Sequence, residues 1–286
     1  MRTLDFWYDE QCLSDYNFVV CDFSAGSGIS EVSAGSTITF VKVSRNGGAK
    51  HSLTNTKYND CLSATFDICK NPDIFHDEDM EITSDEFRDI MRWLNRKEYL
   101  PFHFISDDGT VDDIETCWHN ASFNLSKLML DERTYGIRLK LETNMPYGYG
   151  AEKVFSWSAA SNNLSNVIMD TSDEIGYIYP TIIVTCRQDC TLTITNESEG
   201  CSSVIKNCKA GEKITMYGDT NIIASSNPGH DICNDFNYDF FRIGNSATRM
   251  ENVIIASHPC DIVLKYHPII KYGPYLLGKL TNRCSA

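Results

Sequence analysis

One stretch, ITSDEFRDIMRWLNRKEYLPFHFISDDGT at residues 82–110, constrains the whole chain. It carries helix signals and runs straight into a strand, while the segments around it read as strands. Thr83 with Glu86 three residues later makes a capping box. Asp85 and Glu86 favour the positive end of a helix, and Arg96 and Lys97 favour the other. Phe87, Ile90, Met91 and Leu94 fall at helical spacing on one apolar stripe, and Pro101 forbids continuation. The expected helix lies near 84–97. A helix with one stripe must cover one apolar surface, and in this chain that surface is a sheet. Trp93 lies off the stripe and keeps a second use open, as an anchor for a docking partner.

The strands are legible from period-two alternation. In STITFVKVSRNGGAK, Ile38 and Phe40 alternate with Thr39, Val41 and Val43, and Asn46-Gly47-Gly48 closes the run as a hairpin-type turn. CLSATFDICK places Leu62, Ala64, Phe66 and Ile68 on one face. YLPFHFISDDG and ETCWHNASFN read as strands around an acidic turn. In TYGIRLKLETN, Ile137, Leu139 and Leu141 face one way and Arg138, Lys140 and Glu142 the other. NMPYGYGAEK then breaks the pattern and marks a domain boundary. Beyond it, eight short apolar runs separated by turn residues predict an antiparallel sandwich with no helix. The expected architecture is mainly β with two domains. Residues 1–145 form a β-barrel or sandwich-like domain with one helix, 154–268 form the second sandwich, and 269–286 form a tail whose packing the sequence leaves open, with the first domain as one place for it.

Charge and motifs narrow the function. The chain has 39 acidic against 25 basic residues, a formal −14. That disfavours stable nucleic-acid binding, which needs basic patches to neutralise phosphates, and it disfavours anionic membranes. Asp5, Asp9 and Glu10 interrupt the start, so no signal peptide is expected and the chain is expected to fold in the cytosol. The twelve cysteines are then free thiols, many of them buried. The sequons at Asn120, Asn124, Asn163 and Asn196 carry no meaning without export.

Cys186, Cys190, Cys201 and Cys208 lie close in sequence, but only the first pair has zinc-knuckle spacing, so no metal is expected. His103 and His119 can fall on facing strands, but without a third ligand they read as packing or surface residues. The glycines of SAGSGISEVSAGS, residues 24–36, lack a phosphate-binding lysine and read as a polar loop. Carboxylates such as those of DDGTVDDIE abound and single out no catalytic dyad. Trp157, Tyr177 and Tyr179 are candidates for a sugar platform, with core or edge packing as the competing reading. No catalytic residue, cofactor site or enzymatic activity is expected.

The order of these segments resembles the distal tail protein (Dit) family of long-tailed siphophages over nearly the full length. DFWYDEQCLSDYNFVV is similar to the family's aromatic-rich opening strand and short turn, with Asn17 where a glycine is usual. Ile90, Trp93 and Leu94 match the I-x-x-W-L core of its central helix. TLTITNESEGCSSVIKNCKAGEKITMYGDTNII and FNYDFFRIGNSATRMENVIIAS resemble segments of its galectin-like sandwich, although GNSATRMEN is longer than the usual loop. The resemblance implies a structural virion protein at the phage tail tip, assembled in the host cytoplasm. It implies a homo-hexameric ring that joins the tail tube protein to a tail-tip hub or tail-associated protein. It also implies an outward galectin-like domain that in some members binds host carbohydrate or docks receptor-binding proteins. DNA would pass through the ring without being held. The alternative is a carbohydrate-binding β-sandwich protein for host-surface adsorption.

Overall fold

The computed structural model describes residues 5–21, 38–44, 51–105, 117–248 and 251–271. The chain divides into two compact units, Met1–Gly150 joined by the segment from Ile270, and Ala151–Ile269.

The first unit is built on β1 (Asp5–Tyr8), β2 (Gln11–Cys12), β3 (Phe18–Cys21), β4 (Ile38–Ser44), β5 (His51–Tyr58), β6 (Ser63–Lys70), α1 (Ser84–Leu94), β7 (Leu100–Ile105), β8 (His119–Leu130), β9 (Arg133–Thr143) and β10 (Gly148–Tyr149). Seven strands make one antiparallel sheet in the order β2-β1-β7-β8-β9-β6-β3. Two of its hairpins close through two residues with positive φ, Asp9–Glu10 and Asp131–Glu132. That geometry matches the right-handed twist of the flanking strands. Asn17 takes φ +59. It supplies the left-handed conformation that the family resemblance assigns to glycine, and asparagine tolerates that region.

Alternation decides which face of the sheet is covered. Phe6, Tyr8, Ile68, Phe102, Phe123, Ile137, Leu139 and Leu141 share a core with Ile90, Trp93 and Leu94 of α1. The covering helix is therefore as expected, but its buried face is rotated. Met91 is 40% exposed, whereas Trp93 is 3% exposed. The Trp93 ring stacks on Phe6 at 5.6 Å and on Tyr16 at 4.8 Å, and its Nε1–H donates to the Tyr8 carbonyl at 3.0 Å. Trp93 is thus a core residue and not a free anchor.

The helix also stops at Leu94, short of 97. Asn95 leaves helical geometry, and its side chain donates to the Phe123 carbonyl at 3.1 Å. The Arg96 Nε–H turns back to the Trp93 carbonyl at 3.0 Å. At the other end the capping box is formed. The Glu86 N–H donates to Thr83 Oγ1 at 3.3 Å and the Thr83 N–H to Glu86 Oε2 at 2.7 Å. Lys70 Nζ lies 2.8 Å from Glu86 Oε1 and ties the first helical turn to β6. Replacing Thr83 with alanine is expected to cost about 1 kcal/mol, read by denaturant unfolding. A much larger loss would mean that Thr83 does more than cap.

The second unit is a sandwich. It contains β11 (Lys153–Ala159), β12 (Leu164–Met169), β13 (Gly176–Ile178), β14 (Thr181–Cys186), β15 (Cys190–Asn196), β16 (Cys201–Cys208), β17 (Lys213–Tyr217), β18 (Ile222–Ser225), α2 (Ile232–Asp235), β19 (Ile243–Asn245), β20 (Glu251–Ala256) and β21 (Cys260–Tyr266). One sheet runs β11-β21-β14-β17-β18, the other β12-β20-β15-β16, and β13 pairs with β19. Ile182, Val184, Ile214, Ile262 and Leu264 from one sheet meet Leu192, Ile194, Ile205, Ile254 and Ala256 from the other in a single core. Each of these strands alternates buried with less buried residues, as a sheet with one inner face requires.

The sandwich is not helix-free. α2 is a single turn, formed where the N–H groups of Asn234 and Asp235 both donate to the Asp231 carbonyl at 3.1 Å. Four residues at the end of a loop carry no period for sequence reading to detect.

Candidate assembly surface

The β4–β5 ribbon stands apart from the seven-stranded sheet in its pairing. Its strands are antiparallel from Ile38 opposite Tyr58 to Ser44 opposite His51, with a bulge at Val41/Lys42. Alternation puts Ile38 and Phe40 on one face and Val41 and Val43 on the other. Neither face is covered: Ile38, Phe40, Val41, Val43 and Leu53 are each between 39% and 56% exposed. A two-stranded ribbon alone is marginal in water. Apolar residues on both faces, together with strand edges that pair with no other strand among the described residues, define a segment that gains stability by joining other strands. A second apolar point lies at the β8–β9 tip, where Met129 and Leu130 flank the Asp131–Glu132 turn and are exposed.

The residues singled out in sequence form no reactive constellation. His103 pairs with Trp7 across β1–β7, whereas His119 pairs with Phe102 across β7–β8. The two histidines lie on adjacent strands but on opposite faces of the sheet. His103 packs against Trp7 and Trp118, with ring centroids at 5.7 and 4.2 Å. His119 is buried, which pushes its pKa down to about 4, and its Nε2 lies 3.6 Å from Cys117 Sγ. Among the described residues no group of three or more His, Cys, Asp or Glu is placed to hold a metal ion, and no helix is long and apolar enough to cross a membrane.

Trp157 packs against the sandwich core. Tyr177 and Tyr179 meet edge to face at 5.6 Å, and the Arg242 guanidinium lies 5.1 Å from the exposed Tyr177 ring. The acidic turn at 107–113, the glycine-bearing loop at 24–36, the Asn46-Gly47-Gly48 turn and most of the 269–286 tail lie outside the described residues.

Two features escaped sequence reading. The first is a buried ionic clamp. The His230 side chain is 1% exposed, its Nδ1 is 2.5 Å from Glu212 Oε1, and its Nε2 is 3.3 Å from Asp235 Oδ2. Ser225 Oγ–H also donates to Glu212 Oε1, and the Lys209 N–H donates to Glu212 Oε2 at 2.7 Å. Burial alone would raise the Glu212 carboxyl, but bonds from Ser225 and His230 outweigh it and hold the carboxyl below its usual range. Burial likewise opposes charge on His230, and the bond to Glu212 outweighs it and raises the ring.

The second feature is the membership of the thiol cluster. Cys201 is not part of it: its Sγ–H reaches the Arg242 carbonyl at 3.7 Å. Cys260 takes its place, opposite Cys186 across β14–β21.

A mainly β chain whose exposed apolar ribbon asks for further strands has the build of an assembly component. Residues 1–145 match a family described as phage tail protein N-terminal domain, and residues 147–266 one described as phage tail C-terminal domain. The chain belongs to this phage tail protein family. The crystal structure of SPP1 Dit, described as a paradigm of the hub adsorption apparatus in phages infecting Gram-positive hosts, is similar at 16% identity. That match covers 93% of this chain and 99% of that one, with a TM-score of 0.60. The baseplate of phage P2 in its activated conformation is similar at 8% identity over 93% and 98% of the two chains, with a TM-score of 0.46. No curated protein matches the chain in sequence. The chain thus has the Dit fold, as the family resemblance implied.

Proposed function

We propose that the protein is the distal tail protein of a long-tailed phage. Six copies form a ring that joins the tail tube to the tail-tip hub, and the sandwich unit faces partners at the tip. The observation that carries this reading is the uncovered β4–β5 ribbon in a chain of the phage tail family. In a ring, each ribbon adds its strands to a neighbouring copy and its apolar faces leave water. The acidic balance of the chain, formally −14, fits a bore that lets DNA pass without holding it. Assembly in the host cytoplasm suits a protein whose described cysteines are free thiols.

The test is the full chain at increasing concentration, followed by sedimentation and electron microscopy. Rings six times the mass of the 32.3 kDa chain are expected. The double variant F40D/V43D should melt like the parent yet fail to form rings. A parent protein that stays monomeric at high concentration and coats no tail tip overturns the reading.

One observation favours a second reading, adsorption to host carbohydrate. Tyr177 offers an exposed ring beside Arg242, whose Nε lies 3.5 Å from Glu199. Saturable oligosaccharide binding by a monomer, lost in Y177A, would support that reading over the ring.

A further inference from the structure

The strand registers of the sandwich gather thiols at one point. Cys190, the first residue of β15, lies directly opposite Cys208, the last residue of β16. Cys186 ends β14, and its thiol is within hydrogen-bonding reach of both. All three are free; Cys186 and Cys208 are buried and Cys190 is half-buried. Directly opposed residues of antiparallel strands have Cα atoms about 4.5–5.5 Å apart, inside the ~4.4–6.8 Å that a disulfide spans. The ladder is irregular between Cys190 and Leu192. Cys190 therefore sits at a loosened strand end that can turn to meet the bond's dihedral demand.

We propose that Cys190 and Cys208 are a modification site, which a small-molecule disulfide oxidises to a cross-strand disulfide. Cys190 is the member of the trio that solvent reaches, so it reacts first, although burial raises its thiol and leaves only a minor thiolate fraction to attack. Its thiol loses a proton and the thiolate attacks one sulfur of the oxidant. A mixed disulfide forms, and one small thiolate leaves and takes up a proton. Cys208 then attacks the Cys190 sulfur and releases the second small thiol. The sum oxidises two protein thiols and reduces one small disulfide to two thiols. Cys208 suits the resolving role. The hydrogen bond from Cys186 lowers its thiol's pKa and outweighs burial, and the nearby His230 acts in the same sense. The chemistry does not depend on the tail reading. That reading supplies the occasion, because a virion passes from a reducing cytosol to an oxidising medium.

The experiment uses the folded full chain with oxidised glutathione, alkylation of the remaining thiols, intact mass and peptide mapping. The expected result is a loss of two hydrogens per chain, one peptide pair joined through Cys190 and Cys208, and a higher melting temperature for the sandwich. C190S should lose the bond, whereas C61S, altered at an exposed cysteine elsewhere, should keep it. A persistent glutathione adduct on Cys190, a bond to Cys186 or Cys260 instead, or no reaction overturns the proposal. One tightly bound zinc per chain in protein purified without added metal overturns it as well, because the thiols would then be ligands.

Discussion

Replacing Trp93 with alanine is expected to remove about 3–5 kcal/mol from the first unit, the range for truncating a buried aromatic. The indole stacks on Phe6 and Tyr16, and its N–H is bonded to the Tyr8 carbonyl. Truncation leaves a cavity between helix and sheet and also strips that carbonyl of its partner. Met91→Ala, one position outside the buried face, should change stability by less than about 1 kcal/mol. Circular dichroism during guanidinium unfolding reads both. Because the chain holds two units, the transition of the first must be followed separately. Should Met91→Ala prove the costlier change, the helix sits on the sheet by the stripe that spacing suggested, and the orientation described above is wrong.

The second large effect lies in the sandwich. His230→Ala leaves the Glu212 carboxylate with its side chain 1% exposed and without its imidazolium. Removing one partner from a buried ion pair costs about 3–5 kcal/mol. The pH dependence follows from two opposite shifts. His230 is raised above its unfolded value of ~6.5, so its contribution is full below that value and is lost as pH rises through the folded pKa. Glu212 is depressed below its unfolded value of ~4.3, so its contribution is full above that value and is lost as pH falls through the folded pKa. The clamp is strongest between, in mildly acidic solution. Asp235 and the Cys208 thiol also face the ring and act in the same sense on it. Melting temperature against pH should show the parent losing stability relative to His230→Ala as pH rises above the ordinary imidazole range. Parallel curves for the two proteins would refute a charged clamp.

What sequence revealed and what it missed divide by range. The capping box, the helix N-terminus and the alternation of β9 depend on residues a few positions apart, and all were legible. The rotation of α1 was not. Phe87, Ile90 and Leu94 accept either Met91 or Trp93 beside them at helical spacing, and the choice falls to Phe6 and Tyr16, more than seventy positions away in the chain. Cys260 could not be placed beside Cys186 for the same reason, since only the β14–β21 register brings them together. The ribbon shows a different limit. Period-two alternation tells which residues share a face, but not whether anything covers that face. Ile38, Phe40, Val41 and Val43 read as an ordinary alternating strand, and their exposure emerged only in three dimensions.

The β11–β21 pairing has a consequence for how such tails diversify. Lys153 stands directly opposite Tyr266, so the path into the sandwich and the path out of it meet at one rung of the ladder, about 5 Å apart. The first unit takes up the chain again at Ile270. The sandwich is therefore a cassette whose two leads share one socket. A two- or three-residue turn between Lys153 and Tyr266 would join these two points, and so would any other module with adjacent ends. Recombination could exchange the sandwich for another module while leaving every strand of the seven-stranded sheet in its own part of the sequence.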